Sequence, residues 1–255
     1  MLEFETPQAR IALVTGAGRG LGRELSLKLA AQGVQVAALG RKRADLVALA
    51  AEANGITPIE ADVADIQSLR AAFERIDETL GPVDTLINNA AVYPHRDFLE
   101  ETPESFMATI NINLGGPAAC AMLALDRMVA RGHGRIVNVA SFAGRNPAHL
   151  SSAYSVSKGA ALILTQAMVT DLGDRFPDIV ISDWIPGALN TSMGIPDGIP
   201  VEQAAGWGAR LAMLRDRDLN GVTFLRDSEQ MPPLSMKRRV FYKLTGQTPK
   251  PRRLS

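Results

Sequence analysis

The chain has 255 residues, 46% of them hydrophobic, with 27 basic and 27 acidic side chains and no net formal charge; it can bury one large core, and no nucleic-acid or membrane partner is expected of it. Its single cysteine, Cys120, excludes an intrachain disulfide and favours a reducing cytoplasm, where a buried helical thiol is expected. Residues 1–9, with Glu3, Glu5 and Pro7, carry no apolar core of signal-peptide length, and nowhere do about 18 apolar residues run uninterrupted.

The first predicted element is a buried strand over Ile11-Ala12-Leu13-Val14. It leads into Thr15-Gly16-Ala17-Gly18-Arg19-Gly20-Leu21-Gly22 and then an amphipathic helix from Leu21 to Gln32. Glycines in such a turn let the backbone approach a pyrophosphate, while the N–H groups and dipole of the next helix favour negative charge. Further strands are predicted near 34–39, 56–60, 84–88, 134–139, 179–185 and 221–225, with helices over Ala44–Ala53, Ile66–Leu80, Pro103–Ala130 and Tyr154–Arg175. This alternation predicts an α/β fold, a doubly wound parallel sheet of seven strands in one domain over residues 1–230. Residues 231–255 are expected as a tail. Positions 237–255 hold seven basic and no acidic side chains, with Pro249 and Pro251, and read as a solvated, partly disordered segment.

Four motifs follow predicted strands and so converge on one sheet edge: the glycine turn, Asn88-Asn89-Ala90-Ala91, Ser141, and Pro186-Gly187. Just beyond Ser141, Tyr154 and Lys158 stand four residues apart on one helix, which places an ammonium near a phenol. An unperturbed tyrosine titrates at about 10, and a neighbouring cation favours the phenolate. Ser141 alone reads as a turn serine and Asn113, in Asn-Leu-Gly-Gly, as the cap of a helix irregularity.

Taken in order, these motifs resemble the short-chain dehydrogenase/reductase family, from the Gly16, Gly20, Gly22 spacing to Pro186-Gly187-Ala188-Leu189-Asn190-Thr191. The resemblance implies a Rossmann-like domain, a nicotinamide cofactor and hydride transfer to or from a carbonyl or secondary alcohol. It implies Tyr154 as general acid and base, Ser141 as the group that orients the substrate oxygen, and Lys158 as the group that binds ribose and lowers the Tyr154 pKa. Asn113 would hold a proton-relay water. The cofactor would be held by Gly16, Arg19, Gly20, Leu21, Gly22, Arg41, Asp62, Val63, Asn89, Ala90, Tyr154, Lys158, Pro186, Gly187 and Thr191.

NADP is the expected cofactor. Gly40 stands at the end of the second strand where NAD-preferring relatives usually carry an aspartate, and Arg41 follows with a fork of donors suited to a 2'-phosphate. The alternative for Arg41, Lys42 and Arg43 is a solvated loop, and Asp62 could equally cap the next helix. Ala91 departs from the family pattern, as do Ser182, Asp183 and Trp184 before Pro-Gly, changes expected to alter packing more than chemistry. The segment Ala188–Pro200 reads as a mobile lid whose Leu189, Met193 and Ile195, with Tyr93 and Phe142, suit an apolar carbonyl substrate. His95, His133 and His149 have no partners at ligand spacing, so no metal is expected. Helices Pro103–Ala130 and Tyr154–Arg175 carry faces that family members pair, so a homodimer or homotetramer is expected. The competing reading is an idle NADP-binding sensor or scaffold of the same fold.

Overall fold

The first strand, β1 (Ile11–Thr15), is buried throughout and apolar up to Thr15 because the sheet is covered on both faces: Ala12 and Val14 join one buried cluster, Ile11 and Leu13 the other. The computed structural model describes residues 10–231 and 250–255; the expectations for residues 1–9 and for the basic stretch at 237–249 lie outside these. The remaining strands are β2 (Gln35–Gly40), β3 (Ile56–Glu60), β4 (Thr85–Asn88), β5 (Gly134–Val139), β6 (Ile179–Ile185), β7 (Thr223–Leu225) and β8 (Ser228–Glu229). They form one sheet of eight strands in the order β3-β2-β1-β4-β5-β6-β7-β8. The seven predicted strands are parallel; β8 is an antiparallel addition, reached through Arg226 at φ 54°. Two residues are too short for any periodicity, so nothing in the sequence announces it.

Helices α1 (Gly20–Ala30), α2 (Arg43–Glu52), α3 (Ile66–Thr79), α4 (Pro103–Ile110), α5 (Gly116–Arg131), α6 (Ser152–Leu172) and α7 (Val201–Met213) cover the faces. Leu25 and Leu29 of α1 pack with Ala204, Ala205 and Ala209 of α7 in one cluster; Phe73 and Ile76 of α3 pack with Cys120, Ala124 and Met128 of α5 in the other. Gly208 of α7 lies where a Cβ would come within 2.5 Å of the Trp184 ring, so the large indole on β6 is matched by a missing side chain opposite. Burial pushes the Cys120 thiol up to about 12.

The single helix expected over Pro103–Ala130 is broken. Between α4 and α5 lies one π turn, Asn111–Gly115, where the Asn113 side chain is fully buried and bonded to the Val92 backbone. A five-residue change of pitch does not disturb the apolar spacing enough to be read from it. By length and composition the run Pro103–Arg131 could cross a membrane, but α5 spends its apolar side on the sheet cluster.

The end of the chain differs from the solvated tail expected. Leu254 is 2% exposed within the α1–α7 cluster, and Arg252 pairs with both Glu229 and Asp216. Ser228 bridges Arg253 and Asp227 accepts the Leu254 N–H at 2.7 Å, so residues 250–255 extend the sheet edge. Arg252 and Arg253 there are tied to carboxylates that lie far away in sequence.

Candidate active site

The glycine turn is shaped by what it must avoid. A Cβ on Gly22 would meet the Gly16 carbonyl oxygen at 2.3 Å, and one on Gly16, whose φ is +68°, would meet the Ala90 Cα at 2.9 Å. Asn89 locks the approach of β1 and β4, donating from Nδ2 to the Thr15 carbonyl at 2.9 Å, while Thr15 Oγ1 accepts from the Asn89 and Ala90 N–H groups at 3.0 Å each. Helix α1 begins with Arg19 at its cap, whose side chain makes no capping bond, and with no acidic residue in the first turn. Its N-terminal N–H groups and dipole thus face the sheet edge without an internal anion, and they fit the diphosphate of a dinucleotide.

Gly40 lies beside this turn, with a Cβ there 3.8 Å from the Gly18 N, and the exposed Arg41 follows at once. Thr191 reaches the turn from the far side, its Cγ2 3.7 Å from a Cβ built on Gly20. Pro186 and Gly187, at φ +94°, lead into that segment from β6. Asp62 and Val63 follow β3: Asp62 Oδ1 accepts from the Ala64 N–H at 3.0 Å, and Val63 packs where a Cβ on Gly116 would touch it at 2.9 Å. The helix-cap role considered for Asp62 falls to Asp65, which accepts from Gln67 and Ser68. Asp45, which drew no attention in the sequence, packs its Cβ 3.2 Å from a Cβ built on Gly18. An acidic residue in the first turn of α2 was the available signal.

Ser141, Tyr154 and Lys158 come together at the centre of this edge. Gly144 makes it possible, since a Cβ there would strike the Lys158 carbonyl carbon at 2.6 Å; its absence lets the turn after β5 press onto α6. Burial pushes the Tyr154 pKa up, a hydrogen bond with the Ser141 hydroxyl pulls it down, and nearby Tyr93 pushes it up. Lys158 is 4% exposed and donates from Nζ to the Val139 carbonyl at 2.8 Å. Its nitrogen sits 5.9 Å from the Tyr154 ring centroid, and burial brings its pKa down to about 8, against an opposing pull from Asp183. The expected acidification of Tyr154 by Lys158 is therefore not expressed here: the ammonium is turned to Val139, and net burial holds the phenol above its ordinary value.

Asn113 uses its amide on both sides of Val92, accepting at 2.8 Å and donating at 2.9 Å, and donates to Ser157 Oγ at 3.1 Å. Ser157 Oγ in turn donates to the Tyr154 carbonyl at 2.7 Å, so the π turn is strapped to the first turn of α6. Tyr93 stacks at a tilt 4.4 Å from Tyr154, with His95 4.5 Å beyond. The Ala188–Pro200 segment has no helix; Leu189 bridges Ile199 and is buried, whereas Met193 and Ile195 are about half exposed. Among the described residues no group of three His, Cys, Asp or Glu side chains is placed to hold a metal.

The substitution pattern before Pro186 is not mere packing. Trp184 faces the α1–α7 cluster, but Asp183, 1% exposed, faces α6 and Lys158; burial pushes its carboxyl up to about 7. A polar residue inside the apolar run of β6 was the signal available in the sequence.

Residues 10–198 match the short chain dehydrogenase family. An L-xylulose reductase from Mesocricetus auratus is 40% identical over 186 residues, 72% of this chain and 74% of that protein. A carbonyl reductase [NADPH] 2 from Sus scrofa is 39% identical over 184 residues, covering 72% and 73%. Among solved structures, a short-chain type dehydrogenase/reductase from Mycobacterium marinum superposes with a TM-score of 0.79 at 26% identity, covering 85% of this chain and 93% of that one. With the parallel sheet, the glycine cradle and the Ser141, Tyr154 and Lys158 cluster, these likenesses place the chain in the short-chain dehydrogenase/reductase family of nicotinamide-dependent oxidoreductases.

Proposed function

We propose that the protein transfers hydride between NADP(H) and a small carbonyl or secondary alcohol. The observation that carries this reading is the meeting of Tyr154, Ser141 and Lys158 on the edge that also holds the glycine cradle. The cofactor, when bound, supplies or accepts the hydride. Tyr154 passes its phenolic proton to the developing alkoxide, and Ser141 holds the same oxygen in line. Lys158 leaves the Val139 carbonyl to bind ribose hydroxyls, a move that brings its charge to bear on the phenol. Asn113 Oδ1 has one lone pair left beyond the Val92 bond, which can receive a relay water.

The choice of NADP rests on Gly40, which puts no carboxylate at the end of β2, and on the exposed Arg41 beside it, with Arg19 across the turn. The relative named carbonyl reductase [NADPH] supports it. Tyr93, Phe142 and the Met193 and Ile195 side chains supply an apolar wall, while relatives named for a ketose favour a polyhydroxy ketone as a second substrate class to screen. Exposed Met122, Val156 and Ile163 on α5 and α6 support pairing of two copies.

Fluorescence titration of NADPH and NADH on wild type and Arg41→Ala tests the cofactor. NADPH is expected to bind more tightly, with about a tenfold loss in the variant and little change for NADH. Equal or NADH-favouring affinity overturns it. Binding of NADPH without turnover on any carbonyl compound would leave a dinucleotide-sensing scaffold instead.

A further inference from the structure

Under the α6 side of the site, a row of polar side chains crosses the sheet in register. Asn88 of β4 pairs with Asn138 of β5, and Asn138 with Asp183 of β6. Asn88 Nδ2 donates to Asn138 Oδ1 at 2.9 Å, Asn138 Nδ2 to Thr165 Oγ1 at 2.8 Å, and the Thr165 hydroxyl to Asp183 Oδ1 at 2.6 Å. Each of these residues is at most 5% exposed. Thr165 lies seven residues after Lys158, two turns along the same inner face of α6. The donors run one way along the row and end on the Asp183 carboxyl, so that once it has ionised, above about pH 7, a negative charge stands below Lys158 without being neutralised by an ion pair.

We propose that Asp183 is a positioning residue for Lys158: its buried carboxylate, fixed by Thr165 and the Asn138–Asn88 row, keeps the Lys158 ammonium protonated in a dry site. A lysine buried to this degree with only a carbonyl to receive its proton tends to release it. The opposing influence is the field of Asp183, which raises the Lys158 pKa as Lys158 lowers that of Asp183. Among the described residues Arg145, from the turn after β5, is a further charged group near Asp183; Tyr154 faces Lys158 from α6 itself. At the same register β4, β5 and β7 present the uncharged Asn88, Asn138 and Thr223. The consequence for catalysis rests on the reading of Lys158 given above, but the electrostatic claim does not.

The test is therefore made on the protein without cofactor and, separately, on turnover. Lysine labelled with 13C at Cε gives one resonance for each of the six lysines, and Lys158→Met identifies that of Lys158. In Asp183→Asn, which keeps an acceptor for Thr165, the Lys158 titration is expected to move about one unit toward acid. The alkaline limb of NADPH-dependent carbonyl reduction should move with it, while NADPH affinity at pH 6 stays within about twofold. A Lys158 titration unmoved in Asp183→Asn overturns the proposal whatever the activity. If wild type turns nothing over but the resonance shifts, Asp183 holds its role and the oxidoreductase reading fails. Should Asp183→Asn not fold, Thr165→Val keeps the carboxylate but removes its hydrogen bond. It should move Lys158 in the same direction by a smaller amount, and no movement there overturns the proposal equally.

Discussion

The two ends of one sheet bury polar groups in opposite ways. At the N-terminal edge the Arg135 guanidinium is fully buried, yet it donates to the carbonyls of Leu211, Ile136 and Val180 and to Ser182 Oγ, at 3.3, 2.7, 2.9 and 3.0 Å. Beside it Asp84 accepts from Arg215, Thr85 and the Ile11 N–H. Residues 252–254 close the same end, with Arg252 on Asp216 and the Asp218 carbonyl and the Leu254 carbonyl accepting from Arg210. At the C-terminal edge the groups are underused: among the described residues the buried Asn88 Oδ1 has no hydrogen-bond partner and Lys158 holds a single carbonyl, and Tyr154 is raised by burial. A saturated cluster resists change and stabilises, whereas an incompletely satisfied one has capacity left for a ligand and for proton transfer.

If that contrast holds, the largest single effect belongs to the C-terminal edge and touches activity alone. Tyr154→Phe should lower carbonyl reduction by about 10²–10⁴-fold with the thermal midpoint nearly unchanged, since the lost hydroxyl gives up a hydrogen bond with the Ser141 hydroxyl. A variant that keeps turnover would remove Tyr154 from the mechanism; one that also unfolds would erase the contrast. Arg135→Ala is the mirror experiment. It strips three carbonyls and a hydroxyl of their buried donor and should cost about 3 kcal/mol in urea denaturation, with NADPH affinity of the folded fraction preserved. Leu254→Ala comes next, at about 2 kcal/mol if the last residues are part of the core and near zero if they are a solvated tail.

What was legible in the sequence follows the same division. The parallel sheet could be read because runs such as Ile11-Ala12-Leu13-Val14 are apolar on both faces and are separated by helical spacing, and the site because Ser141, Tyr154 and Lys158 lie in short, ordered segments. The closure by residues 250–255 could not, because Arg252 finds Asp216 across 36 residues and Leu254 finds α1 and α7 through tertiary packing alone. The polar row escaped for a related reason: Asn88, Asn138 and Asp183 are scattered over three strands, and only the register of the sheet brings them side by side. Lys158 was expected to act on Tyr154 through helical spacing; spacing fixes the shared face but not that Nζ turns to Val139.

The smallest predicted effect separates the two ends by pH. Asp183, raised to about 7 by burial, keeps its proton in the fold at pH values where the unfolded chain, with an ordinary carboxyl near 3.8, has released it. Between those values the folded state binds more protons, so stability should fall as pH rises through that window. On the alkaline side the sign reverses: Lys158, lowered to about 8 by burial, binds fewer protons folded than unfolded, and stability rises with pH. Both of these slopes come from groups at the C-terminal edge. Urea midpoints of wild type and Asp183→Asn from pH 4 to 7 should therefore diverge, the wild type losing stability relative to the variant as pH climbs. Parallel curves would mean that Asp183 is charged throughout, which would make the C-terminal edge as well compensated as the Arg135 cluster and remove the basis for the contrast.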